Sequence, residues 1–311
     1  MSEPTQKAEI EFHRAEVHDS ELDRRIERAN RALECCSLCP RRCGAFRARS
    51  ERGECQTAAE VLVSSWHLHH GEEPPLSGTR GSGTIFFSGC SMHCVYCQNY
   101  TISQLVEGRP VSIKQLVQIM SHLQAAGAHN INFVTPTHFA AQILEACILA
   151  RRRGVTVPFV YNTGGYDLVE TLELFDGIMD IYLADMRYHN AEPAGSYSAA
   201  PDYPEVNKRA IAEMHRQVGV LRTDSEGIAF SGVIVRHLVL PEGASGSEGI
   251  CVFLAREVSP RTYISLMSQY YPTHRAHEFG KLARRITEEE YTRARLAMEE
   301  AGLYNGWVQG W

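Results

Sequence analysis

The stretch TIFFSGCSMHCVYCQN, residues 84–99, joins a β-rich run to a loop that contains three cysteines. Three residues separate Cys90 from Cys94, and two separate Cys94 from Cys97. Three thiolates in one short loop can each bind one iron of a cubane iron–sulfur cluster, which leaves the fourth iron open. An open metal position is typical of a catalytic rather than a structural site. The loop therefore predicts a catalytic [4Fe–4S] cluster; a zinc site with His93 as a fourth ligand is the alternative.

Downstream of this loop, short apolar runs alternate with amphipathic segments. The predicted strands are Thr84–Ser88, Asn130–Thr135, Val157–Tyr161, Met179–Ala184, Val233–Leu240 and Tyr263–Met267. The predicted helices between them are Ser112–Gly127, His138–Arg153, Asp167–Phe175, Glu205–Gly219 and Glu248–Glu257. Strand followed by helix, repeated about six times, predicts parallel strands covered by helices. Because a closed barrel needs eight such units, we expect a partial (β/α)6 TIM-like barrel with its ligands at the carboxyl ends of the strands.

The pattern along the chain divides it into four segments. They are a polar helical arm (1–34), a cysteine-rich extension (35–83), the partial barrel (84–270), and a C-terminal helix and tail that pack on the barrel (271–311). Within the extension, residues 66–83 have no clear helix or strand period. The C-terminal helix is predicted over Thr287–Ala301, with Thr287 as its N-cap and Glu290 completing a capping box.

The extension contains a second group of cysteines: Cys36, Cys39, Cys43 and Cys55. Two, three and eleven residues separate successive members of this group. Four thiolates can hold a second iron–sulfur cluster or a structural zinc, or the thiols can remain unligated near the mouth of the barrel. The residues leave these three alternatives open.

Composition limits the class of protein. The formal net charge is −6, whereas a nucleic-acid-binding surface usually brings a basic excess. No stretch approaches the ~20 apolar residues of a membrane helix, and residues 1–34 lack the apolar core of a secretory signal. We therefore expect a cytoplasmic protein without nucleic-acid or membrane partners. Because disulfides are rare in that compartment, the grouped cysteines indicate metal or redox chemistry.

Polar residues stand at the predicted strand ends. Asp185 follows the fourth strand, where a carboxylate can bind substrate, position a cofactor, cap a helix or form an ion pair. Arg236 lies within the fifth strand, and because a buried charge needs a partner, we expect it to face the cavity and a carboxylate. His138 follows the second strand and either points into the pocket or caps the next helix. These three residues are the candidate catalytic groups.

The cysteine loop, placed after the first strand of a partial barrel and with Tyr96 before its third cysteine, resembles the radical S-adenosylmethionine (SAM) superfamily. Further segments resemble an uncharacterised group named for its likeness to pyruvate formate-lyase activating enzyme. They are CSLCPRRC (36–43), GEEPPLSG (71–78), GSGTIFFSGC (81–90), CQNYTISQ (97–104), YNTGGY (161–166), RHLVLP (236–241) and SLMSQY (265–270). The resemblance implies a [4Fe–4S] cluster, SAM as cofactor, and flavodoxin or ferredoxin as electron donor.

The resemblance also implies residues that contact the cofactor. The candidates are Tyr96, Asn99, Thr135, Thr137, Asn162, Thr163 and Asp185. Radical SAM enzymes often end the second strand with Gly-Gly-Glu, which binds the methionine amino group, whereas this chain has Thr135-Pro136-Thr137 there. Backbone carbonyls at that position can do the same work. By resemblance, Asn162 and Thr163 bind the ribose hydroxyls, Tyr96 lies near the adenine, and Asn99 orders the cluster loop.

Three functions follow as alternatives. In the first, reductive cleavage of SAM yields a 5′-deoxyadenosyl radical that abstracts hydrogen from a small-molecule or peptide substrate. In the second, the enzyme activates a glycyl-radical enzyme and acts on a protein partner. The third is a non-catalytic iron–sulfur or zinc scaffold. A long cysteine-rich extension that covers the barrel favours the first.

Overall fold

The computed structural model describes residues 18–310, and one twisted sheet organises them. Its strands are β1 (Val61–His69), β2 (Ser82–Phe87), β3 (Arg109–Val111), β4 (Ile131–Val134), β5 (Phe159–Thr163), β6 (Ile181–Asp185), β7 (Arg222–Thr223), β8 (Ala229–Leu238), β9 (Tyr263–Met267) and β10 (Gly306–Val308). The α-helices are α1 (Asp19–Arg31), α2 (Pro74–Ser77), α3 (Tyr100–Ser103), α4 (Ile113–Ala125), α5 (Ala140–Arg152), α6 (Val169–Leu172), α7 (Ala191–Ser198), α8 (Tyr203–Val218), α9 (Ser247–Phe253) and α10 (Glu288–Glu300).

The strand order is β10-β9-β8-β6-β5-β4-β2-β1-β3, with β7 paired to β8 outside this path. All neighbours from β2 to β10 along the order are parallel, whereas β1 is antiparallel to both β2 and β3. The six strands predicted from the sequence correspond to β2, β4, β5, β6, β8 and β9. The partial (β/α) barrel is therefore confirmed, and it is not a closed barrel.

The last four residues of strand β1 lie in the segment 66–83, for which the sequence shows no clear period. In this strand Trp66 packs edge-on against His122 of α4, with ring centroids 5.2 Å apart. The next residue, His67, stacks on Phe86 at 5.5 Å. Both faces of the strand thus bear large rings, so the apolar–polar alternation of a half-buried strand is missing. The sheet begins at Val61, inside the segment predicted as extension, and gains β10 from the predicted tail.

Helix α4 begins and ends where its residues predict. The Ser112 hydroxyl accepts the Gln115 backbone N–H at 3.3 Å, and the Gln115 side chain accepts the Ser112 N–H at 2.8 Å. Gly127 just beyond α4 has a φ of 95°, a conformation that favours glycine. Thr287 and Glu290 form the same reciprocal capping box at the start of α10. The predicted capping box of α10 is confirmed, and the structure adds a second one at the start of α4.

An apolar cluster fills the amino-terminal part of the barrel interior. Its buried members are Leu76, Val160, Ile181, Leu183, Ala229 and Ile234. Leu76 belongs to α2, so this short helix closes the amino-terminal end of the barrel. The carboxyl ends of the strands, which carry the polar residues of the candidate site, lie at the opposite end of the barrel.

Helix α1 packs on the barrel through the apolar stripe of the predicted arm, with Ala29 fully buried. Its Arg25 guanidinium donates to the Asp176 carbonyl at 2.6 Å. The first part of the predicted arm, residues 1–17, lies outside the described residues. No helix within residues 18–310 has the length and apolar character needed to cross a membrane.

Candidate active site

The cluster loop connects β2 to α3, and each of its thiols has a nearby hydrogen-bond donor. The Met92 backbone N–H lies 3.4 Å from the Cys90 sulfur, and the Ser198 hydroxyl donates to the Cys94 sulfur at 2.9 Å. The Ser103 hydroxyl lies 3.1 Å from the Cys97 sulfur. Donors aimed at sulfur stabilise thiolate ligands and tune the metal they bind. The donor set therefore fits three irons of a cubane cluster.

The ring of His93 is engaged outside the thiol group. Its Nδ1 lies 3.2 Å from the Gln104 side-chain oxygen, and its Nε2 lies 3.8 Å from a carboxylate oxygen of Glu54. Among residues 18–310, no three side chains of His, Cys, Asp or Glu are placed to hold one metal ion together. A cubane cluster differs from such a site because each cysteine binds its own iron.

Backbone contacts hold the loop in place. The Val95 N–H donates to the Tyr197 carbonyl at 2.9 Å, and the Arg275 N–H donates to the Val95 carbonyl at 2.8 Å. From the extension, the Arg41 guanidinium donates to the Ser91 carbonyl at 2.8 Å. The loop is thus fixed by the end of α7, by the C-terminal segment and by the extension together.

Tyr96 and Asn99 have different surroundings within the cluster loop. The Tyr96 side chain is buried, and its hydroxyl lies 2.6 Å from that of Tyr188, which lies 2.7 Å from the Ser198 hydroxyl. Hydrogen bonds therefore link Tyr96 to the sulfur of Cys94. The Asn99 side chain is exposed, while its backbone carbonyl accepts the Ser103 N–H at 2.9 Å and starts α3.

Asp185 and Arg236 form a partly buried ion pair at the strand ends. The Arg236 Nε donates to Asp185 Oδ1 at 2.7 Å, and one Nη donates to the Asn162 side-chain oxygen at 2.7 Å. Arg187 also donates to the Asp185 carboxylate. Burial alone would raise the pKa of Asp185, but the two guanidinium groups outweigh it and hold the pKa below its ordinary value. Asp185 is thus an ionised carboxylate beside the cluster loop.

The two threonine hydroxyls predicted to meet the cofactor are turned to a buried carboxylate. Thr137 donates to Asp167 Oδ1 at 2.7 Å, and Thr163 donates to Asp167 Oδ2 at 2.6 Å. Tyr161 adds a third hydrogen bond to the same group at 3.2 Å. Thr135 has a φ of 60°, which is strained for a β-branched residue, and its N–H donates to the Asn162 carbonyl at 2.8 Å. These bonds fix the shape of the strand ends.

His138 lies beneath the start of the cluster loop instead of in the open mouth. Its Nε2 is 2.8 Å from the Ser88 carbonyl, two residues before Cys90. Burial, helped by the charge of Arg47, lowers the pKa of His138 to about 3. The ring is therefore neutral, and Nε2–H donates to Ser88. This geometry gives the predicted catalytic histidine a positioning role.

The cysteines of the extension gather close to this loop. The sulfurs of Cys43 and Cys55 lie 3.0 and 3.6 Å from where a Cβ on Gly53 would stand. Burial, with smaller contributions from the neighbouring thiols, raises the pKa of Cys39 to about 12. The Cys55 carbonyl lies 2.6 Å from a Cβ position on Gly89, so only glycine fits there. The second cysteine group thus packs directly against the residue that precedes Cys90.

Sequence reasoning missed several polar residues of this region: Glu72, Glu73, Asp167, Arg187 and Ser198. Glu72 and Glu73 are buried inside the barrel although they stand in a Gly- and Pro-rich turn, a context typical of exposed carboxylates. Asp167 has the ordinary sequence context of a helix cap. The spacing of Asp185 and Arg187, two residues apart beyond a strand, was the available signal for Arg187.

Comparison with known proteins agrees with this geometry. The model of the radical SAM superfamily matches residues 84–184, which include the cluster loop and β2 through most of β6. The uncharacterized protein MJ0674 of Methanocaldococcus jannaschii is 31% identical across 95% of this chain and 84% of its own length. The chain therefore belongs to the radical SAM superfamily. Its class is that of the radical SAM enzymes.

A second protein of that organism, the uncharacterized protein MJ0808, is 24% identical over 44% of this chain and 45% of its own. Among solved structures, the FeFe-hydrogenase maturase HydG from Carboxydothermus hydrogenoformans superposes with a TM-score of 0.50 at 12% identity. That match covers 70% of this chain and 50% of HydG, so this chain spans about half the length of that protein. The likeness shows the shared fold.

Proposed function

We propose that this enzyme reductively cleaves SAM at a cluster held by Cys90, Cys94 and Cys97 and abstracts hydrogen from a small-molecule or peptide substrate. The observation that carries this proposal is the loop of three thiols, each beside its own hydrogen-bond donor, at the carboxyl end of the first parallel strand. When bound, the [4Fe–4S] cluster and SAM supply the one-electron chemistry. A flavodoxin or ferredoxin would deliver the electron, in the cytoplasm.

The residues of this chain bind, orient and shield the reacting groups. Ser198 and Ser103 orient two cysteine sulfurs, and Asp185 and Arg236 place fixed charges at the mouth of the barrel. Arg41 ties the extension to the loop through the Ser91 carbonyl. Such packing excludes water from a site where reactive species must be protected.

The position of the extension supports a small-molecule or peptide substrate over a folded protein partner. The Leu38 carbonyl accepts a hydrogen bond from the Thr171 hydroxyl of α6 at 2.8 Å, beyond the end of β5. Arg47 lies over the ring of Phe139, beyond the end of β4, at 5.8 Å. The extension therefore lies over the ends of neighbouring strands and narrows the approach for a glycyl-radical enzyme.

For the cysteines of the extension, we propose a second iron–sulfur cluster, with structural zinc as the alternative. Cys36, Cys39, Cys43 and Cys55 supply four thiols, enough for a cluster in which each thiol binds its own iron, whereas a zinc site would require at least three of them to move around one ion. The Cys36 sulfur accepts from the Arg47 guanidinium at 3.7 Å, a donor suited to a thiolate. Metal counts separate the two alternatives.

The test is anaerobic reconstitution of the full chain, followed by iron and zinc counts and an assay for 5′-deoxyadenosine with dithionite. We expect Cys94→Ala to lose 5′-deoxyadenosine formation, and Cys35→Ala, at an exposed thiol, to keep it. About eight irons would mean two clusters, and about four irons with one zinc would make the second group a zinc site. No iron uptake and no 5′-deoxyadenosine in the wild type would overturn the proposal and favour the scaffold.

A further inference from the structure

Two adjacent carboxylates lie inside the barrel, below the strand ends. Glu73 is 3% exposed, and the Glu72 side chain is 8% exposed. They follow β1 and precede α2, whose Leu76 belongs to the apolar cluster at the barrel floor. Glu72 accepts from the Asn132 amide at 3.1 Å and lies 3.6 Å from the Arg236 guanidinium. The pair thus stands between the apolar floor and the charged mouth.

Three acceptor atoms around this pair are buried and have no hydrogen-bond partner within the described part of the chain. They are Glu73 Oε2, Asn132 Oδ1 and Ser265 Oγ. Asn132 is in register with Val160 of the interior cluster, and Ser265 is in register with Arg236, so both side chains face the barrel interior. The Glu73 side chain does not cap α2. A buried acceptor without a donor is unfavourable, and a ligand rich in N–H groups would satisfy it.

The charge balance of the interior favours a cation. Three carboxylates, Glu72, Glu73 and Asp185, face two guanidinium groups, those of Arg187 and Arg236. Arg187 pairs with Asp185, so Arg236 is shared between Asp185 and the glutamates. Burial, together with the neighbouring charge of Glu73, raises the pKa of Glu72 to about 7 against the opposing charge of Arg236. The site thus holds more carboxylate than its own cations neutralise.

We propose that the barrel interior, just above its apolar floor, binds a cationic nitrogen of the substrate, an alkylammonium or alkylguanidinium group, through Glu73, Asn132 and Ser265. This inference rests on the proposed function, because it names the substrate class of the same site. SAM is a second source of positive charge. However, Asn132 lies two residues before the end of β4, about 7 Å deeper than the strand ends where the cluster loop begins. The depth assigns the site to the substrate.

The test measures binding to the reconstituted holoenzyme with SAM present, by calorimetry and ligand-observed NMR. The probes are n-butylammonium and n-butylguanidinium, with n-butanol and butyrate as controls of the same chain length. We expect a cationic probe to bind at least tenfold more tightly than n-butanol. Glu73→Gln should weaken that binding about tenfold and Ser265→Ala about threefold, while Glu60→Gln, at an exposed carboxylate, should leave it unchanged.

Ser265→Ala removes no hydrogen bond of the described structure, so it provides the test even if Glu73→Gln fails to fold. The inference is wrong if cations bind no better than n-butanol, or if Glu73→Gln weakens SAM binding and leaves the cationic probe unaffected. Binding of the probes requires no turnover. Cation binding without any SAM cleavage would therefore overturn the proposed function alone, whereas SAM cleavage without cation binding would overturn this inference alone.

Discussion

At the scale of single residues, the Cys94 thiol of the cluster loop accepts a hydrogen bond from a fully buried serine, Ser198. The Ser198 hydroxyl donates to the Cys94 sulfur at 2.9 Å, and it is held in place by the hydroxyl of Tyr188 at 2.7 Å. Ser198 is fully buried, so water cannot replace it as a donor. A hydrogen bond to a cluster thiolate stabilises the reduced, more negative cluster. Ser198 is therefore a positioning residue for the redox step.

We expect Ser198→Ala to lower the midpoint potential of the reconstituted cluster by on the order of 40 mV, the equivalent of one hydrogen bond of ~1 kcal/mol in a one-electron couple. Redox titration followed by electron paramagnetic resonance measures this shift. Ser196→Ala changes an exposed serine two residues away and serves as the control. An unchanged potential in Ser198→Ala would contradict the assigned role.

A buried histidine away from the cluster couples stability to pH. The Nδ1 of His237 donates to the Met186 carbonyl at 2.7 Å, and its Nε2 accepts from the Ser247 hydroxyl at 2.8 Å. Burial lowers the pKa of His237 to about 4. In the unfolded chain the pKa is near 6.5, so between these values the unfolded state binds the extra proton. The contribution of His237 is complete above about pH 6.5 and is lost as the pH falls toward 4.

The free energy of unfolding should therefore fall between pH 7 and pH 5 less steeply in His237→Gln than in the wild type. Urea denaturation of the apoprotein at a series of pH values measures this slope. His277→Gln alters an exposed histidine and should keep the wild-type slope. Equal slopes in all three proteins would show that His237 does not titrate between the folded and unfolded states as its burial requires.

At the scale of elements, the helix caps show how local sequence specifies structure. Ser112 and Gln115 satisfy each other's backbone N–H at the start of α4. We expect Ser112→Ala to cost about 1 kcal/mol of unfolding free energy, because an N–H of the first turn loses its acceptor. Ser112→Thr keeps the hydroxyl and should lose less. Urea denaturation of the wild type, Ser112→Ala and Ser112→Thr measures these free energies of unfolding. Equal values for all three would show that the cap does not contribute.

At the scale of the whole molecule, Arg41 joins the extension to the barrel. Its guanidinium donates to the Ser91 carbonyl of the cluster loop and to the carbonyls of Ser198 and Ala199 at the end of α7. Neighbouring Arg42 instead forms an exposed ion pair with Glu170 at 3.4 Å. One of these arginines thus holds three parts of the fold together, and the other contributes little, as exposed pairs generally do.

We expect Arg41→Ala to lose its cluster several-fold faster than the wild type, because the loop loses a contact that holds it in place. Iron retained after buffer exchange, followed over time, gives the rate, and limited proteolysis reports whether residues 35–60 loosen. Arg42→Ala is the matched control and should retain iron as the wild type does. Equal rates of iron loss in both variants would mean that the extension does not stabilise the loop.

The sequence by itself determined the features that depend on local spacing. The three-cysteine loop, the six strands and the capping box of α10 depend on residues a few positions apart, so the sequence alone is enough to predict them. It also indicated that Arg236 needs a carboxylate, since a charge inside an apolar strand is costly without one. It did not identify which carboxylate, because that depends on the neighbouring strand.

Only the tertiary structure decided how distant segments meet. It turned Thr137 and Thr163 toward Asp167, set His138 under Ser88, and brought Glu72 and Glu73 into the barrel. It also extended strand β1 through residues 66–69, where aromatic and imidazole rings on both faces obscure the alternation. The physical reason is the same in each case. Burial and hydrogen bonding depend on which strands become neighbours, and that contact is formed by residues far apart in the chain.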